Sequence, residues 1–219
     1  MKKIILIVAI VLIAILFIPN NKTNNNKVVL ETYPWQVTIL PDGRSRIFGI
    51  ILGETSLKEV DARFRSIPEM GLFEEKDKLE LEAYYKNVSL GGMIGSFVLT
   101  TQASEKELEA IKMASRRKKG DESNGVIRYE LDKPTSEKSK NFIVKDIIYI
   151  PTAQLDEGVI VERFGKPTHK IKIKTKELGW HYLYPEKGLD LIYKEEGKEV
   201  LQYVMPKNFN ALLAPLQAH

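Results

Sequence analysis

The sequence contains no cysteine, and this absence excludes several classes of protein and site. Without thiols there is no disulfide framework, no thiolate zinc site, no cysteine nucleophile and no lipid-modified amino-terminal cysteine. The composition, 43% hydrophobic and 28% charged residues, is that of a globular chain and excludes a disordered or collagen-like protein. Stability must therefore come from an ordinary hydrophobic core.

Residues that carry familiar catalytic or cofactor chemistry are also scarce. The 3 histidines, His169, His181 and His219, share no metal-ligand spacing, and the sequence has no nucleophile elbow, phosphate-binding loop or dinucleotide fingerprint. Glu80 and Glu82 would share one face of a strand, but this spacing is typical of a solvated strand face as well as of a carboxylate pair. We therefore predict no enzyme, cofactor or metal site. A hydrolase with an unrecognised carboxylate site is a remote alternative.

The positive charge of the chain is concentrated at its amino terminus. The net charge is +4, and residues 1–27 contain four lysines and no acidic residue. The rest of the chain therefore has 29 acidic side chains and an equal number of basic ones. A surface with this balance does not favour polyphosphate, and we expect no nucleic-acid partner.

An uninterrupted apolar run, Ile4 to Ile18, follows the first three residues. Ala9 and Ala14 are its only small residues, so the run is apolar on every face and lacks the polar stripe of a surface helix. As a helix it would rise about 22 Å, and the neutral flank from Pro19 extends it toward the roughly 30 Å thickness of the hydrocarbon layer. Residues 1–20 are therefore predicted to form a transmembrane signal-anchor.

The charges beside this anchor predict its orientation. Lys2 and Lys3 favour a cytoplasmic amino terminus, which places the bulk of the chain on the periplasmic side of the inner membrane. A cleaved signal peptide, which has the same basic start and a similar apolar centre, is the alternative. The anchor is favoured because no Ala-x-Ala cleavage site follows Ile18; residues 21–27 then form a polar tether.

From Val28 onward the residue patterns predict an α+β fold, with antiparallel sheet and about three short helices. Alternation over Trp35–Leu40, followed by Pro-Asp-Gly, predicts a hairpin. Capping-box sequences that begin at Ser56 and Ser104 predict two amphipathic helices, the second ending near Gly120.

The second half of the chain repeats this order of a helix followed by strands. A third helix is predicted over Leu155 to Phe164, closed by Gly165 and followed by a four-strand meander. The polar stretch Lys133 to Asn141 is predicted to be a loop. The order is compatible with one large domain or with two tandem helix-plus-meander modules, residues 28–132 and 142–219.

The segment from Leu155 to Pro206 carries a characteristic series of motifs. Its helix ends in Phe164-Gly165-Lys166-Pro167, and Trp180-His181-Tyr182 and the strand sequence Gly188 to Tyr193 follow. This pattern resembles the small outer-membrane assembly lipoproteins and the related β-lactamase-inhibitor-like modules. The resemblance implies a helix-plus-antiparallel-sheet module that binds other envelope proteins without catalysis. The chain differs from the lipoproteins in lacking a cysteine to lipidate.

Two groups of basic residues are candidate anion-binding surfaces. The first lies at the carboxyl end of the second predicted helix and consists of Arg116, Arg117, Lys118 and Lys119. The second alternates along a predicted strand and includes Lys170, Lys172 and Lys174. Each group also has a structural explanation, because cations stabilise a helix carboxyl end and lysines protect a sheet edge from pairing with another chain.

Aromatic residues on the last strands complete the candidate binding surface. Trp180 and Tyr182 lie beside the lysine strand, and His181 between them is expected at the surface. Aromatic anchors with complementary charge are typical of protein interfaces. We therefore expect a non-enzymatic protein-binding or scaffolding module of the bacterial cell envelope, with another envelope protein as its partner. A protein that binds anionic lipid through the basic groups is the alternative.

Overall fold

The computed structural model describes residues 32–117, 125–173 and 178–217. The predicted anchor, residues 1–20, and the tether, residues 21–27, lie outside the described residues. Within the described ranges, no helix has the length and apolar character needed to cross a membrane. Residues 31–219 form one compact unit that contains both hydrophobic clusters of the described chain, so this unit has the core that an independently folding domain requires.

Helices and strands alternate along the described chain. The α-helices are α1 (Leu57–Phe64), α2 (Glu105–Ala114), α3 (Lys133–Ser139), α4 (Glu157–Phe164) and α5 (Asn210–Gln217). The strands are β1 (Val37–Ile39), β2 (Ser45–Ile47), β3 (Ile50–Ile51), β4 (Glu69–Glu75), β5 (Lys78–Leu90), β6 (Met93–Gln102), β7 (Arg116–Arg117), β8 (Val126–Glu130), β9 (Ile143–Pro151), β10 (His169–Lys172), β11 (Gly179–Tyr184), β12 (Leu189–Lys194) and β13 (Val200–Tyr203). Short 3₁₀ turns lie at Pro185–Lys187 and Pro206–Asn208.

The strands form two antiparallel sheets, and the larger one organises the molecule. A 3-stranded sheet has the order β1-β2-β3, and it includes the hairpin predicted from the sequence. A 10-stranded sheet has the order β10-β11-β12-β13-β9-β6-β5-β4-β8-β7. The three-strand meander β4-β5-β6 and the four-strand meander β10-β11-β12-β13 are joined through β9, which pairs with β6 on one side and with β13 on the other. Strands from both predicted modules therefore belong to one continuous sheet.

The α+β architecture is confirmed, but the described residues contain five helices rather than about three. The stretch expected to be a loop contains α3, whose amino end is capped by Asp132 accepting a hydrogen bond from the Thr135 amide. Pro134 lies in the first turn, where a proline is tolerated because the amide it lacks has no intrahelical partner. The other unpredicted helix, α5, contains Pro215, which obscures its pattern.

The helices with strong local signals begin where the sequence predicts. Ser56 and Ser104 cap α1 and α2, and in each helix the glutamate three residues later accepts a hydrogen bond from the cap amide at 2.8 Å. The third predicted helix is α4, which ends at Phe164 as expected, with Gly165 at φ 85°.

Most of the hydrophobic core lies on one face of the large sheet. Phe97 of β6 is at its centre, with ring centroids of Phe48, Phe64 and Tyr149 at 5.0, 4.6 and 4.8 Å. Buried residues of α1, α2, α4 and the small sheet complete this cluster. A second, smaller cluster joins α5 to Leu183, whose side chain points to the opposite face.

Candidate functional site

Four side chains at one end of the large sheet form a compact group that we call the edge cluster: Glu157, Lys170, Trp180 and Tyr182. Lys170 lies on β10, the terminal strand of the sheet at this end, and is opposite Tyr182 in register. The Lys170 ammonium lies 4.5 Å from the ring centroid of Trp180 and 4.9 Å from that of Tyr182. Glu157, in the first turn of α4, accepts hydrogen bonds from Lys170 at 2.8 Å and from the Tyr182 hydroxyl at 2.6 Å.

The edge cluster uses its polar groups internally. The hydrogen bond from Lys170, and after it that from Tyr182, lowers the pKa of Glu157, and the bond to Glu157 raises the pKa of Lys170. Tyr182 is only 1% exposed and belongs to the main core. The expectation that Tyr182 contacts a partner is therefore wrong, because the side of β11 that carries Trp180 and Tyr182 faces the core.

Replacing Lys170 by methionine tests whether this lysine is a structural residue. The change keeps an unbranched apolar stem but removes the cation over two rings and the ion pair, so we expect the free energy of unfolding to fall by about 1 kcal/mol. Lys172, exposed on the same strand, provides the matched control, and Lys172→Met is expected to change stability little. Equal urea midpoints for Lys170→Met and the unaltered protein would contradict this role.

The other predicted basic residues do not join the edge cluster. Arg116 and Arg117 are exposed in β7, the terminal strand at the far end of the described sheet. They follow α2 rather than end it, because Ser115 is extended and its hydroxyl donates to the Ile111 carbonyl at 2.7 Å. With ten strands spaced about 4.8 Å apart, β7 and β10 lie roughly 40 Å from each other across the sheet.

Three of the predicted basic residues, Lys118, Lys119 and Lys174, lie outside the described residues. Among the described members of the lysine strand, Lys170 and Lys172 occupy the edge position that the edge-protection interpretation requires. A continuous basic surface made from both groups is not supported by their placement at opposite ends.

His181 is paired rather than exposed to solvent. Its Nδ1 lies 2.9 Å from Oδ2 of Asp190 on the neighbouring strand, and the two side chains are 14% and 3% exposed. The expectation of a surface histidine is wrong because the His181 ring pairs with the buried Asp190 carboxylate on the adjacent strand. The pair satisfies a carboxylate that would otherwise be buried alone.

The face of the large sheet opposite the main core is covered only in part, and we call it the open face. On it lies a group of half-buried side chains that belong to neither hydrophobic cluster. This aliphatic strip consists of Val98, Ile148, Ile150, Ile192 and Val200. Val98 pairs with Ile148, and Ile192 with Val200, so the strip continues across β6, β9, β13 and β12. Contiguous apolar surface of this kind marks interaction sites.

An acidic row borders the aliphatic strip. Glu82, Thr100 and Asp146 are successive partners in register on β5, β6 and β9, two residues along the strands from the row of Val98. Thr100 donates to Oδ2 of Asp146 at 3.3 Å, while Oδ1 of Asp146 is buried without a hydrogen bond. Burial raises the pKa of both carboxyls, and the charge of Glu80 adds to the effect at Glu82.

The acidic row also contains compensating bases. The ammonium of Lys145 lies 3.4 Å from Asp146 and 3.8 Å from Glu80. Arg128 lies 3.9 Å from Glu69 and over the Phe73 ring, and its Nε is buried without a hydrogen bond. A cavity of about 180 Å³ lies between these groups and the strip, with Glu82, Tyr84, Val98 and Arg128 in its lining. A second pocket, lined by Glu75, Lys76 and Lys78 together with Glu80 and Glu82, adjoins these groups. Taken together, five carboxylates and four bases leave the region with a net negative charge.

Sequence reasoning missed the open face, although a signal is present. The alternation of β5 predicts a solvated position for Glu82, whereas this side chain is half-buried beside Val98. The runs Phe97-Val98-Leu99 and Ile147-Ile148-Tyr149-Ile150 are apolar at consecutive positions, so each strand presents aliphatic side chains to both faces. Such a run predicts that the second face is also covered, by this chain or by another molecule.

Comparison with known proteins adds no assignment. No family model, curated protein or solved structure matches this chain. In the part of the chain that the structure describes, no group of three or more histidine, aspartate or glutamate side chains is placed to hold a metal ion. The aliphatic strip and its acidic border are therefore the basis for a functional assignment.

Proposed function

We propose that this chain is a membrane-anchored protein-binding module of the bacterial cell envelope, exposed to the periplasm, which acts without catalysis. The open face is its recognition surface. One observation carries this proposal: five neighbouring aliphatic side chains lie on a sheet face, belong to neither hydrophobic cluster and have a charged border. An apolar centre within a polar rim is the usual anatomy of a protein interface.

The same observation favours a protein partner over anionic lipid. The open face is acidic at its border, and a surface with this charge repels anionic head groups. Arg116 and Lys170 lie on strands at opposite ends of the sheet, and Lys170 is already paired with Glu157. We therefore propose the open face, rather than the lysine strand, as the binding surface.

Photo-cross-linking in intact cells tests this function. A photoreactive amino acid at Ile148 of the full-length chain is expected to give a discrete adduct with another protein. The control position is Ile67, which is far more exposed, at 82%, but lies outside the strip. Val200→Asp is expected to suppress the Ile148 adduct at least tenfold, because a carboxylate in an apolar interface loses its hydration.

Equal adducts from Ile148 and Ile67 would contradict the proposal, as would adducts to lipid alone. The folded state of Val200→Asp is checked by circular dichroism of the fragment that begins at Val28. A melting curve with a single cooperative transition separates loss of binding from loss of structure.

A further inference from the structure

The chemistry of the open face restricts what can cover the aliphatic strip. β6, β9, β13 and β12 each have a neighbouring strand on both sides, so their backbone hydrogen-bonding groups are used within the sheet. An added β-strand needs a free edge and cannot bind here. The occupant must satisfy its own backbone and contribute only side-chain packing, as an α-helix or a second sheet does.

The chain itself shows which of these occupants the open face accepts. α5 lies on this face, and its Leu212, Leu213 and Leu216 pack against a cluster that includes Leu183 and Val204. This cluster is separate from the main core. A helix is therefore already seated on the open face, which also carries the aliphatic strip.

The dimensions of the strip match one further helix. The strip extends over four neighbouring strands, a width of about 14 Å, and a helix with its side chains is about 10–12 Å across. A second sheet would pack about 10 Å above this one, in the space that α5 occupies. The geometry therefore favours a single helix beside α5 over a second copy of this chain packed face to face.

The acidic row adds a charge requirement. The carboxylates of Glu69, Glu80, Glu82 and Asp146 outnumber the bases Arg128 and Lys145, and Oδ1 of Asp146 has no hydrogen bond. A lysine or arginine stem can lie along the apolar strip while its charged end reaches these carboxylates. A cationic partner would also offset the burial of Glu82 and Asp146, which raises the pKa of each.

We infer that the partner of the open face is an amphipathic α-helix that packs its aliphatic side on Val98, Ile148 and Val200, parallel to the surface and beside α5, and directs a cationic side chain to Glu82 and Asp146. This inference rests on the proposed function and specifies the chemistry of its partner. The helix takes the place that an additional element of this chain would take in a fully covered sheet.

Two synthetic helical peptides test the inference on the fragment that begins at Val28. The peptides have the same leucine face, with lysines on the polar face of one and glutamates on that of the other. Fluorescence anisotropy at low salt is expected to show the cationic peptide binding at least tenfold more tightly. Ile148→Ser is expected to weaken its binding about tenfold, whereas Ile67→Ser is expected to leave it unchanged.

A second variant isolates the charge requirement. Glu82→Gln combined with Asp146→Asn is expected to abolish the preference for the cationic peptide while binding of the acidic peptide stays the same or improves. The variant is expected to fold at pH 7. Burial raises the pKa of both carboxyls, so above the folded-state pKa their ionised forms destabilise the native state. The uncharged amides remove this destabilisation. Glu162→Gln, an exposed position on α4 and therefore on the other side of the sheet, is the matched control.

The outcomes separate this inference from the proposed function. Equal binding of both peptides, or an Ile148→Ser variant that binds as before, overturns the helix inference. Sedimentation that shows a dimer disrupted by Ile148→Ser also overturns it, in favour of a second copy. If the peptides fail to bind but the Ile148 cross-link in cells persists and is lost in Val200→Asp, the proposed function stands and the helical partner is rejected.

Discussion

Phe97→Ala is expected to lower the free energy of unfolding by about 3–5 kcal/mol, a large part of the total stability of a domain of this size. Phe97 is 1% exposed and contacts the rings of Phe48, Phe64 and Tyr149. These partners come from the small sheet, from α1 and from β9, so the cavity would lie where three parts of the fold meet. Urea denaturation of the fragment that begins at Val28 measures the loss.

Phe73→Ala is the matched control for this change. Phe73 is half-buried and outside both hydrophobic clusters. The guanidinium carbon of Arg128 lies 5.7 Å from the centroid of its ring. Its replacement is expected to cost only about 1 kcal/mol. Similar losses for the two alanine variants would show that Phe97 is not at the centre of the core.

Gly188→Ala is expected to destabilise the protein by about 3 kcal/mol. Gly188 follows the 3₁₀ turn Pro185–Lys187 with φ +64°, a left-handed conformation that costs other residues about 1–2 kcal/mol. A Cβ atom there would also lie 2.0 Å from the Val204 carbonyl oxygen. The backbone of Val204 cannot retreat without lengthening its 2.9 Å hydrogen bond to Gly188, so a packing penalty is added.

Gly43→Ala separates these two contributions. Gly43 has a similar φ, +82°, but no atom lies within 4 Å of the position of its added Cβ. We expect a loss of about 1–2 kcal/mol, from backbone conformation alone. Equal losses at positions 43 and 188, measured by urea denaturation, would show that the close approach to Val204 contributes nothing.

Local signals account for the elements that could be predicted. The caps at Ser56 and Ser104 and the stop at Gly165 are short-range patterns, and each element is where the pattern places it. The lack of an equally clear pattern explains the two missed helices. A polar stretch that contains a proline is typical of a loop, and only the cap at Asp132 indicates that α3 begins there. In α5, Pro215 interrupts the helical pattern.

The open face could not be predicted because it depends on long-range pairing. β9 lies between β6 and β13, and the strands of each pair are separated along the chain by other elements. Whether Ile148 meets solvent or protein depends on which helices cover each side of the sheet, which its neighbours in sequence do not specify. The burial of Glu82 could not be predicted for the same reason, because the residues that cover it lie on other strands.

The hydrogen bond from the Tyr203 hydroxyl to the carbonyl of Pro34, at 2.7 Å, joins residues 169 positions apart inside the core. Pro34 is near the first described residue, whereas Tyr203 is on the last strand. In a chain that is synthesised from its amino end, this contact can therefore form only after nearly all of the chain has emerged, although β1, β2 and β3 can pair with one another before then. Until β13 has been synthesised, the core remains incomplete and its apolar residues stay exposed, so the growing chain must be protected against aggregation.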